Sequence, residues 1–295
     1  MIYLLQDIIN GILMGSIYGL TALGLTVIFG VLKVINFAHG SMLMVGLYAA
    51  YWAVALTGLH PYLTLVIVLP VMFFFGYFLQ DLIIKPIFKA ERDVREPITV
   101  IIVTTGVWYI LDNVALLIFG PQYRTLLENP LRGRMLEMGE FLLSVPKLYG
   151  FVAAMIASGA LYLFFQKTRL GRAIRATSLD RDAASLMGIN QYKIYNVAMG
   201  LGTACAGLAA VTLVPFYNVF PSVGVLFDIK GFIIVVLGGL GSIGGAMLGG
   251  IIIGLIESVG PQYMTATWTE AIVYGIFLVF LFVKPAGLFG LRQDW

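Results

Sequence analysis

The sequence predicts an all-α membrane protein: a polytopic helix bundle with about eight membrane-embedded segments, one of them Gly-rich and broken or re-entrant. Two observations carry that prediction. Of the 295 residues, 60% are hydrophobic and 11% are charged, and the mean hydropathy is +0.96. Soluble domains hold about 25% charged residues, so a single soluble globular domain is excluded. The charges are also too widely spaced for one. Between Asp7 and Lys33 lie 25 uncharged residues, and between Lys33 and Asp81 lie 47. Further uncharged runs separate Glu96 from Asp112, Lys147 from Lys167, Lys193 from Asp228 and Lys230 from Glu257. A spanning helix needs about 20 apolar residues, and most of these runs reach that length.

The first helix is placed near 8–32. No Lys or Arg precedes it, and it exceeds the about 7–15 residues of a signal-peptide core, so it is expected to stay as the first span. Further helices are placed near 34–57, 62–84, 97–119, 148–166 and 194–216, with a last one near 268–284. Pro61, Pro86, Pro121 and Pro285 fall at or near predicted ends, where a missing N–H costs little. Pro70 and Pro215 fall inside, which predicts a kink in the third helix and an earlier end to the sixth. No segment is long and polar enough to fold separately, so residues 1–295 read as one transmembrane domain.

Lys and Arg in loops set the orientation. Lys85, Lys89, Arg92 and Arg95 follow the third helix; Lys167, Arg169, Arg172, Arg175, Arg181 and Lys193 follow the fifth. Both loops are expected in the cytoplasm. Loop 120–147 then lies outside, although Arg124, Arg132, Arg134 and Lys147 breach the rule mildly; the N-terminus, bearing only Asp7, is also expected outside. The C-terminus, with Lys284 and Arg292, is expected inside. An odd number of crossings must therefore follow the outer end of the sixth helix near Phe220. The last helix supplies one, so 229–257 must cross an even number of times, or enter and return. Gly238, Gly239, Gly241, Gly244 and Gly245 supply the break. The alternative is one unbroken helix whose glycines permit close packing, with the C-terminus outside. Irregular backbone at membrane depth needs protein or a water-filled cavity around it. That makes Gly238, Gly239, Gly241 and Ser242 candidate path-lining residues. A fainter feature is the likeness of Gly40-Ser-Met-Leu-Met-Val-Gly46 to Gly244-Gly-Ala-Met-Leu-Gly-Gly250.

Polar groups within spans are costly, about 2.5–3.5 kcal/mol for a central charge on insertion scales, and so point to function. Asp112 and Asn113 interrupt the fourth span, and Asn36 and His39 lie at an Asn-Phe-Ala-His-Gly break. Each has a path-lining reading and a structural one. Glu257 and Glu270 are placed at interface ends. Asp228 and Lys230 are placed at the outer flank of the Gly-rich stretch, as a docking surface or a membrane boundary. Trp52, Trp108, Trp268, Tyr62, Tyr123 and Tyr149 read as interfacial anchors or packing. The net charge of +3 comes with no basic tract, so no nucleic-acid partner is expected; lipid is. The single cysteine, Cys205, excludes an intramolecular disulfide and a cysteine metal cluster.

Loop 167–193 carries the strongest motif. Ser178 or Asp180 is placed as a helix cap and Gly188 as its stop, with Leu179, Ala183, Leu186 and Met187 on one face. Asp182-Ala183-Ala184-x-x-x-Gly188 resembles the Glu-Ala-Ala-x-x-x-Gly loop of ABC importer permeases, with Asp replacing Glu. Its flank, Thr168-Arg-Leu-Gly-Arg-Ala-Ile-Arg-Ala176, resembles the version in LivH-type permeases of branched-chain amino acid importers. So do Gly24-Leu-Thr-Val-Ile-Phe-Gly-Val-Leu-Lys-Val-Ile-Asn-Phe-Ala-His-Gly40, Val236-Leu-Gly-Gly-Leu-Gly-Ser-Ile-Gly-Gly-Ala-Met-Leu-Gly-Gly250 and Lys284-Pro-Ala-Gly-Leu-Phe-Gly290. Their order and the chain length fit that family end to end. Two positions depart from it: Ser41, where the family often has an acid, and Gly244, where it often has proline.

The resemblance implies one permease half of an importer in the bacterial inner membrane, moving leucine, isoleucine and valine. Related permeases carry urea, short amides or aromatic acids. The implied partners are a second related permease, two ATP-binding cassette subunits and a periplasmic substrate-binding protein. Asp182, Ala183, Ala184 and Gly188 would couple to the ATPase. No catalysis, metal or cofactor is expected in this chain; ATP and Mg would belong to the partners. The residues agree, since Gly239 and Gly244 have phosphate-loop spacing but Gly245 and Ala246 stand where Lys and Ser/Thr are needed. An ion-coupled secondary transporter usually carries intramembrane charge relays, and Asp112 is the clearest such charge here. An intramembrane hydrolase built on Ser242 would need glycine at position 240, which is Leu240.

Overall fold

The computed structural model describes residues 2–90, 98–126, 131, 133–284 and 286–289. Its helices are α1 (Ile2–Leu32), α2 (His39–Thr57), α3 (Leu65–Leu79), α4 (Lys85–Ala90), α5 (Ile98–Phe119), α6 (Val145–Lys167), α7 (Arg169–Leu179), α8 (Arg181–Leu186), α9 (Gln191–Leu213), α10 (Val223–Gly238), α11 (Ile243–Val259) and α12 (Ala266–Val283). Eight helical segments among the described residues are long and apolar enough to cross a membrane. The polytopic helical bundle read from the sequence is therefore what the chain forms. A two-stranded antiparallel hairpin, β1 (Met135–Met138) with β2 (Phe141–Ser144), was not foreseen in loop 120–147.

The core is built on α1 and α9, which neighbours wrap. Glycine makes the α1–α11 seam. A Cβ on Gly15 would lie 2.6 Å from the Gly250 carbonyl oxygen, and one on Gly11 would lie 2.9 Å from Leu255 Cα. Gly11, Gly15 and Gly19 thus meet Leu255, Gly250 and Met247 in reverse order, so the two helices run antiparallel with their backbones touching. Such four-residue spacing of small residues is how helices associate where lipid removes the hydrophobic drive.

Contacts at the helix ends sort the segments into two faces. The Asp7 carboxylate accepts from Gln262, and the Gln6 side chain pairs with both backbone groups of Leu142 (2.6 and 3.0 Å). The start of α1, the hairpin and the end of α11 therefore share one face. Gly30 meets Gly241, and Gly239 meets Gly287, at the opposite face. The chain's start and the described end of α12 thus lie on opposite faces, as the parity of crossings required. Arg92, Arg95, Arg132, Pro285 and Arg292 lie outside the described residues.

Three predicted boundaries are corrected. The second helix starts at His39 rather than 34, because Lys33 adopts φ +57° and the chain to Ala38 is not helical. The third span runs past Pro86 to Ala90 through a π-turn, Gln80–Ile84. Proline lacks an N–H and its ring crowds the carbonyl four residues back; a widened turn just upstream accommodates both. The sixth span ends at Leu213, two residues before Pro215, as that proline required. Arg124, which breached the charge rule, donates to the Phe119 carbonyl at the C-terminus of α5 and lies over the Trp52 ring. Both arrangements favour a cation without placing it in the cytoplasm.

Candidate functional site

The predicted break in 229–257 is present. α10 ends at Gly238, Gly239 and Gly241 turn the chain at φ +104° and +86°, and α11 begins at Ile243. Ser242 caps α11, its hydroxyl accepting from the Gly245 N–H at 3.1 Å. Glycine at 238 and 245 lets the two helices touch, since a Cβ on either would overlap the other's carbonyl. The break is covered by the chain's last described segment: the Leu288 and Phe289 N–H groups donate to the Leu237 and Gly238 carbonyls. Gly238 and Gly239 are buried at this turn, whereas Gly241 is exposed and Ser242 half-buried. α10, with 16 residues, is about 24 Å long against a hydrocarbon core of about 30 Å.

A second break, before α2, builds a different structure. Asn36 folds back on itself, its Oδ1 accepting from the Ala38 N–H at 3.0 Å. Ala38 occupies the cap position of α2 and has no side-chain bond to give. The cap comes from α10: Asp228 accepts from the Gly40 N–H at 2.5 Å. Gly224 and Gly40 make that approach possible, because a Cβ on Gly224 would lie 2.5 Å from the Gly40 carbonyl oxygen. The next residue, Ser41, donates to Asp112 on α5 at 2.6 Å, and Trp108 donates to the other oxygen of Asp112 at 2.8 Å. Two carboxylates from two helices thus meet consecutive residues at one helix start.

Beside this cluster is a cavity of about 300 Å³. Asn36 and Asp228 are its polar wall residues, and Phe37, Trp108, Phe232, Tyr274 and Phe277 its aromatic ones. It joins the α1–α2 break to α5, α10 and α12. Among the described residues, three basic side chains form ion pairs elsewhere: Lys85 with Asp81, Arg181 with Asp182, and Lys230 with Glu257. Among the described residues no ion pair reaches Asp112 or Asp228.

The predicted site residues separate accordingly. Asn36 and Asp112 join the cluster. Asn113, next to Asp112, is exposed on α5 and bonds back to the Tyr109 carbonyl at 2.7 Å. His39 is fully packed under Gly24, with Nε2 3.1 Å from the Thr21 carbonyl oxygen, tying α2 to α1. Asp228 and Lys230 do not flank the stretch: both lie inside α10, and Lys230 bonds Glu257 at 2.8 Å beneath the Tyr18 ring. Glu257 is accordingly a paired residue within the bundle rather than one solvated at an interface end. Trp108, an interfacial anchor or packing residue by sequence, is a hydrogen-bonding wall of the cavity.

The cytoplasm-assigned loop is two helices. α7, capped by Thr168 (2.9 Å to the Gly171 N–H), was missed; α8 is capped by Asp180 at 2.9 and 3.0 Å. Ser178 is not a cap, since it bonds the Arg175 carbonyl within α7. Gly188 turns the chain at φ +81°. Asp182 and Ala183 are exposed, whereas Ala184 is buried and its carbonyl accepts from the Ile189 N–H. Leu179, Leu186 and Met187 stand 77%, 89% and 83% exposed.

The family model for the permease component of branched-chain amino acid transport systems matches residues 7–282. The chain belongs to this family. The permease is 32% identical over 97% of its length to the high-affinity branched-chain amino acid transport system permease protein BraD of Pseudomonas aeruginosa, covering 95% of that protein. It is 30% identical over 98% of its length to the LivH permease protein of Escherichia coli, covering 96% of it. It is 31% identical to the probable LivH permease protein of Methanocaldococcus jannaschii, over 97% of this chain and 92% of that one. No solved structure matches the permease.

Proposed function

We propose that this permease is one membrane-spanning half of an ATP-driven importer that carries leucine, isoleucine and valine into a bacterial cell through the inner membrane. The observation that carries the reading is the family match across nearly the whole chain, including the loop of α7 and α8. A second related permease, two ATP-binding cassette subunits and a periplasmic binding protein complete the machine, and ATP with Mg is used by the cassettes. The face bearing the hairpin is the outer one.

The loop supports the division of labour. Asp182 and Ala183 face outward from α8, flanked by the bare apolar side chains of Leu186 and Met187. Such a small knob suits a groove on a partner better than water. Ala184 and Gly188 act from behind, one packing α8 onto the permease and one turning the chain out of it. Because α7 packs against α6, α1 and α9, a push on α8 reaches the bundle core. The cavity's apolar walls favour an aliphatic or aromatic cargo over urea.

Uptake of radiolabelled leucine tests the reading, in cells lacking this chain and in the same cells with it restored. Unlabelled valine, urea and benzoate serve as competitors. Restored uptake blocked by valine alone is expected. Leucine uptake that ignores loss of the chain contradicts the substrate assignment.

A further inference from the structure

We infer that the cavity between the α1–α2 break, α5, α10 and α12 is a transient site for an amino acid zwitterion, with Asp228 receiving the ammonium and the Asn36 amide the carboxylate. The inference rests on the importer reading above and adds the residues that hold the cargo inside the permease.

Three independent features point to this ligand. The first is uncompensated charge. Asp228 and Asp112 sit at membrane depth, joined through Gly40 and Ser41, and among the described residues neither has a Lys or Arg ion-pair partner. Intramembrane carboxylates are costly and normally pair, so the site favours a cation. The second is an underused amide. Asn36 is 4% exposed, and its NH₂ group reaches only two thioether sulfurs, Met42 at 3.7 Å and Met199 at 3.8 Å. A buried amide with such weak acceptors has donors to spare. The third is shape. At about 300 Å³ the cavity is at the lower end of small-molecule sites. Its remaining walls are aromatic and aliphatic, suited to one branched side chain. An ion would have no use for those walls, and an uncharged amide would leave the carboxylates unpaired.

Capping α2 is the competing role for Asp228, and the two roles can be separated. Asparagine at 228 keeps an oxygen for the Gly40 N–H but removes the charge that an ammonium needs. Cells restored with Asp228→Asn should therefore hold the permease in the membrane at the parental level. They should take up leucine about tenfold more slowly or worse, the usual cost of a lost charged hydrogen bond. Val225 also lines the cavity. Val225→Phe should slow leucine and isoleucine more than the smaller valine. Parental leucine uptake by Asp228→Asn overturns the inference and leaves the importer reading standing. So does an equal effect of Val225→Phe on all three amino acids. Uptake of benzoate or urea but no leucine by the parent overturns both. If Asp228→Asn does not reach the membrane, the size-graded result for Val225→Phe decides.

Discussion

α2 and α11 both begin after a break, on similar sequences, Gly40-Ser-Met-Leu-Met-Val-Gly46 and Gly244-Gly-Ala-Met-Leu-Gly-Gly250, but they are held in different ways. α11 is capped from within by Ser242, and its break is held by glycine contacts and by residues 288 and 289. Everything it needs is local or tightly packed. α2 starts from an alanine with nothing to offer, and its cap arrives from Asp228, 188 residues later. A cap supplied locally makes a stable hinge. A cap supplied by a residue that also lines a cavity places the start of one helix beside that cavity. If Asp228 receives cargo as proposed, that ligand would also alter what supports α2.

The comparison can be broken most severely at the α11 hinge. Gly245→Leu would drive a side chain into the Gly238 backbone, whereas the neighbouring Gly244 has nothing within 4 Å of its missing Cβ. Gly245→Leu should yield no monodisperse permease on size exclusion after detergent extraction, while Gly244→Leu should yield it normally. The next largest effect is expected from Lys230→Met, which strands Glu257. Breaking a buried pair costs about 3–5 kcal/mol, and less here because the Lys230 and Glu257 side chains are 23% and 17% exposed. Its thermal midpoint in detergent should fall clearly, and Lys230→Met with Glu257→Gln should recover part of the fall. Ser242→Ala removes a local cap worth about 1 kcal/mol and should lower the midpoint slightly. Asp228→Asn should not lower it, since the bond to Gly40 survives and an uncompensated charge is gone. A fall as large as that of Lys230→Met would make Asp228 chiefly structural.

Much of this was legible in the sequence, and the omissions have physical causes. Long uncharged runs placed the spans, because lipid forbids charge over that length. Pro215 and the glycines of 238–245 placed an end and a break, because both residue types act through their own backbone. α10 was misplaced because Asp228 and Lys230 looked like a membrane boundary. They stay inside because α2 and Glu257 receive them, and such partners are tertiary. α7 was hidden in a charged loop, although Thr168 before a run with Leu170, Ile174 and Thr177 on one side was a readable start signal. At the site, Asn36 and Asp112 could be singled out as intramembrane polar groups. Trp108 was missed although it lies four residues before Asp112 on the same predicted helix, a spacing that makes the two side chains neighbours. Asn113 follows Asp112 directly and still faces away, because one residue turns a helix by about 100°.

The most direct test of the importer account uses proteoliposomes holding this permease with the proposed second permease and cassette subunits. The binding protein and labelled leucine are added at the hairpin face, and ATP at the face of α8. Accumulated leucine is the measured quantity. The account predicts accumulation that requires ATP at the α8 face and is lost in Leu186→Asp without loss of the permease from the membrane. Accumulation driven by an ion gradient in the absence of ATP would contradict it.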